Sequence, residues 1–310
     1  MVYSYPFVDG AGLDGLTKGD VHAFLKSPSL VARRVAELAR DRFIADFLLK
    51  GRYSADGGGV TFEVDGATMS EDDPETIQAG AEYPLTTVKG GKPQTVLSEK
   101  EGQDTEVYDE TIARMLLDPV ERALRGMVNR MIKRTDAKAL ATLASEVTAT
   151  EAAAATWTTP EAVIESVLLA DAKLGDHNIG LTGDVVVLPP KLFAKVSALF
   201  LKADLLANGA DGAMASGMIG NVLGKAWVTS NEATFTDPML IDSNAIGGIG
   251  IEDIGSPGYV TADGTLGIQT KVQRLAGADD RDGYRLRVRR VGVAAIVEPR
   301  AGVRITGASA

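Results

Sequence analysis

The stretch DPVERALRGMVNRMIKRTDAKALATLAS, residues 118–145, decides how this chain is read. Asp118 is placed to cap the first free amides, and Pro119 sits where a missing N–H costs nothing. Glu121 falls in the first turn, where the helix dipole favours an acid. Val120, Leu124, Met127 and Met131 recur at helical spacing, and Ala123, Val128 and Ile132 widen the stripe. Leu140 and Leu143 continue it. No proline interrupts the interior, and Gly126 is a single weak position. The spacing predicts one helix roughly 40 Å long. A helix of that length in a 310-residue chain is a strut. Its apolar stripe is expected to face closing strands near Tyr284–Ile305. Its charged face (Arg122, Arg125, Lys133, Lys138) is expected to meet solvent or a neighbouring subunit.

The totals narrow what such a strut can serve. The formal charge is −10, which disfavours a general nucleic-acid binder. Cysteine is absent, so disulfides, thiolate metal sites and a cysteine nucleophile are excluded. Only His22 and His177 are present, which removes the usual general base and zinc ligand. The start, MVYSYPFVDG, has neither the basic start nor the apolar centre of a signal peptide, and synthesis inside a cell is expected. No apolar run of about 18 residues is present to span a membrane.

Upstream of the strut, residues 1–27 read as an irregular arm with no core of its own. Residues 29–49 read as one helix, bent near Asp41 and ended by Gly51. A short strand, Val60–Val64, follows between glycines. EYPLTTVK (82–89) and KPQTVLSEKE (92–101) read as two strand-like runs turning at Gly90-Gly91, a hairpin too small to stand alone. Downstream, VTATEAAAATWT (147–158) is a connection. Thr159-Pro160-Glu161 opens a helix that ends at Gly175. Asp184–Leu188 is a buried strand closed by Pro189-Pro190, and a helix over 191–206 follows. Strands are expected at 222–229, 245–251 and 266–272, and again from Tyr284 to the end. The mix is α+β.

Sites of chemistry are few. GMIGNVLGK (217–225) lacks the phosphate-loop spacing and its hydroxyl residue. GGIGIEDIG (247–255) reads as a bent strand. Glu71, Asp72, Asp73 and Glu75 read as an exposed acidic turn, and Asp279, Asp280 and Asp282 as a hairpin turn. His22 beside Asp20 and His177 beside Asp176 read as structural histidines. Arg285, Arg287 and Arg289 share one face of a strand. They are either a solvated face paired with local acids or a docking surface for a neighbour's acidic turn at 71–75.

The order of these parts resembles the major capsid protein of tailed double-stranded DNA phages, with the Hong Kong 97-type fold. RFIADFLL, GGGVTFEV, AGAEYPLTT and KPQTVLSEKE, between residues 42 and 101, are similar to the extended-loop region of actinobacterial phage capsid proteins. GDVVVLPPKLFAKV (183–196), IGNVLGKAWVTS (219–230) and RRVGVAAIVEPRAGVRIT (289–306) resemble the later strands and helix of that family. The resemblance implies an N-terminal arm (1–27), a helix (28–53) and an extended loop (54–106). It also implies a peripheral domain (107–147 and 271–310) and an axial domain (148–270). It implies hexamers and pentamers closing an icosahedral virion shell around double-stranded DNA, assembled in the host bacterial cytoplasm. A separate scaffold protein, a portal and a decoration protein are the partners it implies. The candidate intersubunit contacts are Glu82, Tyr83, Pro84, Lys89 and Lys92 of the loop, with Arg285, Arg287 and Arg289. No catalytic residue, metal or cofactor is expected, and no Lys–Asn cross-link. The alternatives are an encapsulin-type compartment shell and, from another class, a soluble hydrolase using paired carboxylates.

Overall fold

The computed structural model describes residues 17–40, 42–64, 73–88, 90–203, 222–232, 235–275 and 281–308. Three helices open it: α1 (Lys18–Leu25), α2 (Pro28–Ala39) and α3 (Ile44–Leu48). Helix α1 lies where an arm without a core was expected. Thr17 and Asp20 cap it reciprocally, and Val21, Phe24 and Leu25 are buried. The single helix expected over 29–49 is two. Arg40 leaves helical geometry at ψ 135°, and α3 starts only after Phe43. Residue 41 lies outside the described residues.

The chain continues through β1 (Gly51–Ser54), β2 (Gly59–Val64), β3 (Lys92–Leu97) and β4 (Glu99–Tyr108) to α4 (Asp109–Met115) and α5 (Asp118–Glu146). Then come β5 (Thr150–Ala152), α6 (Pro160–Gly175), β6 (Val185–Leu188), α7 (Pro190–Lys202), β7 (Ala226–Thr229) and β8 (Met239–Ile241). The strands β9 (Gly247–Ile251), β10 (Val260–Asp263), β11 (Ile268–Arg274), β12 (Gly283–Ile296) and β13 (Gly302–Thr306) complete it.

Helix α5 is the expected strut, 29 residues and about 44 Å long. Asp118 does not cap it. Leu116, at φ 55°, turns the chain between α4 and α5, so Leu117 is the cap and Asp118 is already in the first turn. There Asp118 accepts a 2.5 Å bond from Arg122. The strut crosses two cores. Val120, Leu124, Met127, Val128 and Met131 pack with α1, α2 and the β12 residues Tyr284, Leu286 and Val288. Ala139, Leu140 and Leu143 enter a second core with Trp157, Val186, Phe200 and Ile305. The stripe therefore faces the closing strands along both halves, β12 in the first core and β13 in the second.

A six-stranded sheet underlies the first core, in the order β1-β9-β12-β11-β10, with β4 also paired to β12. Strand β12 is its axis. Tyr284–Arg290 pairs with β11 and with β4 at once, so those two lie on opposite edges of β12. The second core holds a five-stranded sheet, β5-β13-β8-β6-β7. The two sheets cut across the limits at 148 and 271: β9 joins the first sheet, and β13 the second.

Strands β2 and β3 form a separate two-stranded arm, in register from Gly59↔Leu97 to Val64↔Lys92. The hairpin expected at Gly90-Gly91 is not formed. Residues 92–97 pair back to 59–64, helped by a 2.9 Å hydroxyl bond between Thr61 and Thr95. Residues 81–88 are in neither helix nor strand. Pro84, with no N–H to give a ladder, is part of the reason.

Candidate intersubunit surface

The arm begins and ends at one point. Ser98 N donates to Gly58 O at 2.9 Å, closing its base on the body of the molecule. From there the ladder runs about 20 Å to Val64 and Lys92. Beyond it Tyr83 is 82% exposed, Leu85 95% and Val88 63%. Glu82, Pro84 and Lys92 are exposed as well. Lys89 lies outside the described residues, as do Glu71 and Asp72. Apolar side chains so bare, on a ladder of two strands, have no core to supply their stability.

The strand arginines behave otherwise. Arg287 donates twice to Asp104, both bonds 2.5 Å, and once to Tyr259 Oη at 3.1 Å. Arg285 donates to Glu106 Oε1 at 2.7 Å. These are directly opposed residues of β12 and β4. The Arg287 bonds hold the Asp104 carboxyl below its ordinary range, and those from Arg285 do the same for Glu106. Arg289 is buried. Its guanidinium stacks 3.5 Å from the Tyr259 ring centre, and Nε donates to Gln269 Oε1 at 2.7 Å. Gly102 opposite leaves it room, since a Cβ there would lie 2.9 Å from Arg289 Cβ. All three arginines are thus engaged by side chains of their own chain. Adjacent strands bring acid and base together at contact distance, and that local pairing wins.

The charged face of α5 divides likewise. Arg134 donates to Glu101 Oε1 at 3.1 Å, and Lys138 bonds to both Glu99 and Glu101. Lys133 pairs with Glu232 at 3.4 Å. These side chains fasten the strut to its own sheet. Between α5 and β4 lies a groove of about 450 Å3, floored by Met127, Met131 and Val288 and rimmed by Arg130 and Arg134.

Where α5 passes between the two cores, it carries a residue that sequence reasoning missed. Asp136 is buried, and its Oδ1 accepts the Ala45 N–H at 3.0 Å, capping α3 from another helix. Burial pushes its carboxyl up to about 6, against the pull of the Ala45 and Ile44 amides; Asp46 adds to the rise and Arg290 opposes it. Asp46 in turn holds Arg52 at 3.1 Å and the buried Arg290 at 3.3 Å. A signal was there: Asp136 sits four residues after Ile132 and four before Leu140, an acid within an apolar row.

Neither histidine pairs with the acid beside it in the sequence. His22 Nδ1 lies 3.1 Å from Tyr284 Oη, while Asp20 serves Thr17. His177 Nε2 is buried with no hydrogen-bond partner among the described residues. Lys225 of the glycine-rich segment is spent on Asp171 at 2.9 Å and the Gly183 carbonyl at 2.6 Å. Gly217–Gly220, Asp279 and Asp280 lie outside the described residues. Among the described residues no cluster of acids and histidines could hold a metal, and no helix is long and apolar enough to cross a membrane.

The strut bridges two sheets, and the two-stranded arm is rooted on the first through Val60 and Ser98. A family model described as phage capsid protein matches residues 92–305, and the chain belongs to that family. Solved structures agree on the fold. One from Mycobacterium phage Che8 is 17% identical with TM-score 0.55, covering 86% of this chain and 92% of that one. One from Microbacterium phage Oxtober96 is 14% identical with TM-score 0.57, covering 85% and 90%. The encapsulin of Synechococcus elongatus PCC 7942 is 13% identical with TM-score 0.56, covering 87% and 89%. No curated protein gives a significant match. The chain is a structural capsid protein with the α+β Hong Kong 97-type fold, a component of a virion shell rather than an enzyme.

Proposed function

We propose that this chain is the major capsid protein of an icosahedral head that encloses double-stranded DNA and is built from hexamers and pentamers. The observation that carries this reading is the arm, with Tyr83, Leu85 and Val88 bare beyond a two-stranded ladder. Such side chains are stabilised only against another copy, and head-to-tail contacts of this kind close into rings. Glu82, Pro84, Lys89 and Lys92 belong to the same contact. Assembly takes place in the host bacterial cytoplasm with a separate scaffold protein and a portal. The net charge of −10 limits adhesion of packaged DNA to the wall.

Expression with a scaffold protein, followed by electron microscopy, tests this directly. Closed shells with hexameric and pentameric units are expected. A chain that stays monomeric with and without scaffold would sink the proposal. The compartment reading shares the fold seen in the Synechococcus encapsulin. Uniform small shells formed around a cargo enzyme, with no scaffold, would favour it. A hydrolase finds little support, because Asp136 and Asp242, the buried carboxylates among the described residues, are occupied by backbone amides.

A further inference from the structure

The first half of α5 has a side that its core does not use. Val120, Leu124, Met127, Val128 and Met131 pack inward. At 3.6 residues per turn, Arg122, Arg125, Gly126, Asn129, Arg130 and Lys133 lie on the side away from them, and all six are exposed. The row carries four cations, no acid and no apolar side chain. It ends where Leu140, on the same side of the helix, enters the second core.

The cations are available. Arg125 and Arg130 make no hydrogen bond or ion pair among the described residues. Arg122 pairs with Asp118 and Lys133 with Glu232, but both cations are more than half exposed, where an ion pair is weak and yields to a stronger anion. Gly126 lies in the middle of the row. A glycine inside a helix is a cost, and no packing asks for it here, since a Cβ would meet nothing within 4 Å. Its missing side chain lets an anionic chain come close to the helix.

From Arg122 to Lys133 the helix rises about 16 Å. One strand of duplex DNA presents a phosphate about every 3.4 Å, so the row spans about five phosphates. Asn129 adds an amide that donates to phosphate as well. A protein segment is the poorer occupant, because protein interfaces are anchored by buried apolar and aromatic side chains, and the row offers none. At a net charge of −10 the rest of the chain repels DNA, which confines the contact to this row.

Resting on the shell reading above, we propose that this side of α5 faces the inside of the shell, where Arg122, Arg125, Arg130 and Lys133 hold the phosphate backbone of the enclosed duplex. The contact is independent of sequence and weakens with salt.

Titration of a short duplex of arbitrary sequence onto the full chain at low salt tests the row. R125E/R130E is expected to weaken binding at least about tenfold, and R125Q/R130Q to lower the slope of log K against log salt by about 2, one for each lost phosphate contact. K191E/K202E on α7 changes the net charge as much as R125E/R130E and is expected to stay within about threefold of the unaltered chain. Unchanged melting temperatures are the folding control. The chain has no cysteine, so Asn129→Cys supplies a single thiol that locates the row in shells. A small maleimide that passes through shell openings is expected to label it, and a maleimide on a large polymer is expected not to. Labelling by both reagents puts the row outside and overturns the proposal. Labelling by neither buries it against a neighbouring protein and overturns it too. So do absence of duplex binding by the unaltered chain, binding that R125E/R130E leaves unchanged, and an equal loss in K191E/K202E. If the unaltered chain forms no shell, the shell reading fails by itself, and the duplex titration alone judges the row.

Discussion

Asp136 shows how one side chain couples two cores. Its neighbours are Asp46 on α3 and Arg290 on β12, with the Ala45 amide as its hydrogen-bond donor, and Asp46 in turn pairs with Arg52 on β1. Because its folded pKa is raised, to about 6, the folded chain keeps a proton that the unfolded chain has already released. Stability therefore falls as pH rises from about 4 to 6 and stays lower above that. Asp136→Asn keeps an oxygen for the Ala45 amide and carries no charge. It is expected to raise stability at pH 7.5 by about 1–3 kcal/mol, with the gain fading near pH 4. Melting temperatures from pH 4 to 8 check this; an equal shift at every pH would refute it. Asp104 runs the opposite way. Its lowered pKa contributes stability above the ordinary carboxylate range, and that is lost as pH falls. Gly248 sets a steric limit, since a Cβ there would come within 2.3 Å of the Gly51 carbonyl. Gly248→Ala is expected to cost about 1–3 kcal/mol by parting β1 from β9, read as a lower denaturant midpoint with unchanged slope.

At the scale of elements, the arm is separable from the body. Its base is closed by the Ser98–Gly58 bond, so residues 59–97 can be removed and the ends joined by a short linker. The remaining chain is expected to keep both sheets, with its circular dichroism and a cooperative melt, and to form no shells. Shells from this deletion would end the role of the arm as a clamp between subunits. The arm also shows where sequence reading stopped short. Val60–Val64 was legible as a strand from its β-formers between glycines. Its partner was not. Two strand-like runs flanked Gly90-Gly91, and local turn chemistry favoured pairing them with each other. The partner chosen lies some thirty residues away, by cross-strand fit at Thr61–Thr95 and Val60–Val96. Helix α1 was missed because three buried residues in eight give a weak periodic signal.

Taken whole, the molecule is two cores strung on one helix, with a surface that waits for copies of itself. Arg285 and Arg287 could be placed on one strand face from their spacing alone. That Glu106 and Asp104 would meet them could not, because the acids come some 180 residues earlier. Electron micrographs of the full chain and the arm deletion distinguish a fold that only resembles a shell subunit from one that builds shells. Closed particles are expected from the first and none from the second.

By itself the sequence determined the strut, the α+β class, the later helices and the order of parts that resembles phage capsids. Those features are written in local signals: a 3.6-residue apolar period, a Pro after a cap, a Val run closed by two prolines. Only the tertiary structure decided which strand pairs with which, that α5 divides between two cores, and that Arg285 and Arg287 of β12 pair with acids of their own chain. Those outcomes depend on contacts between residues far apart in sequence, and periodicity carries no record of them. The segment 73–88 belongs to neither account alone. Its composition marks it as exposed and acidic, and the fold leaves Tyr83, Leu85 and Val88 bare.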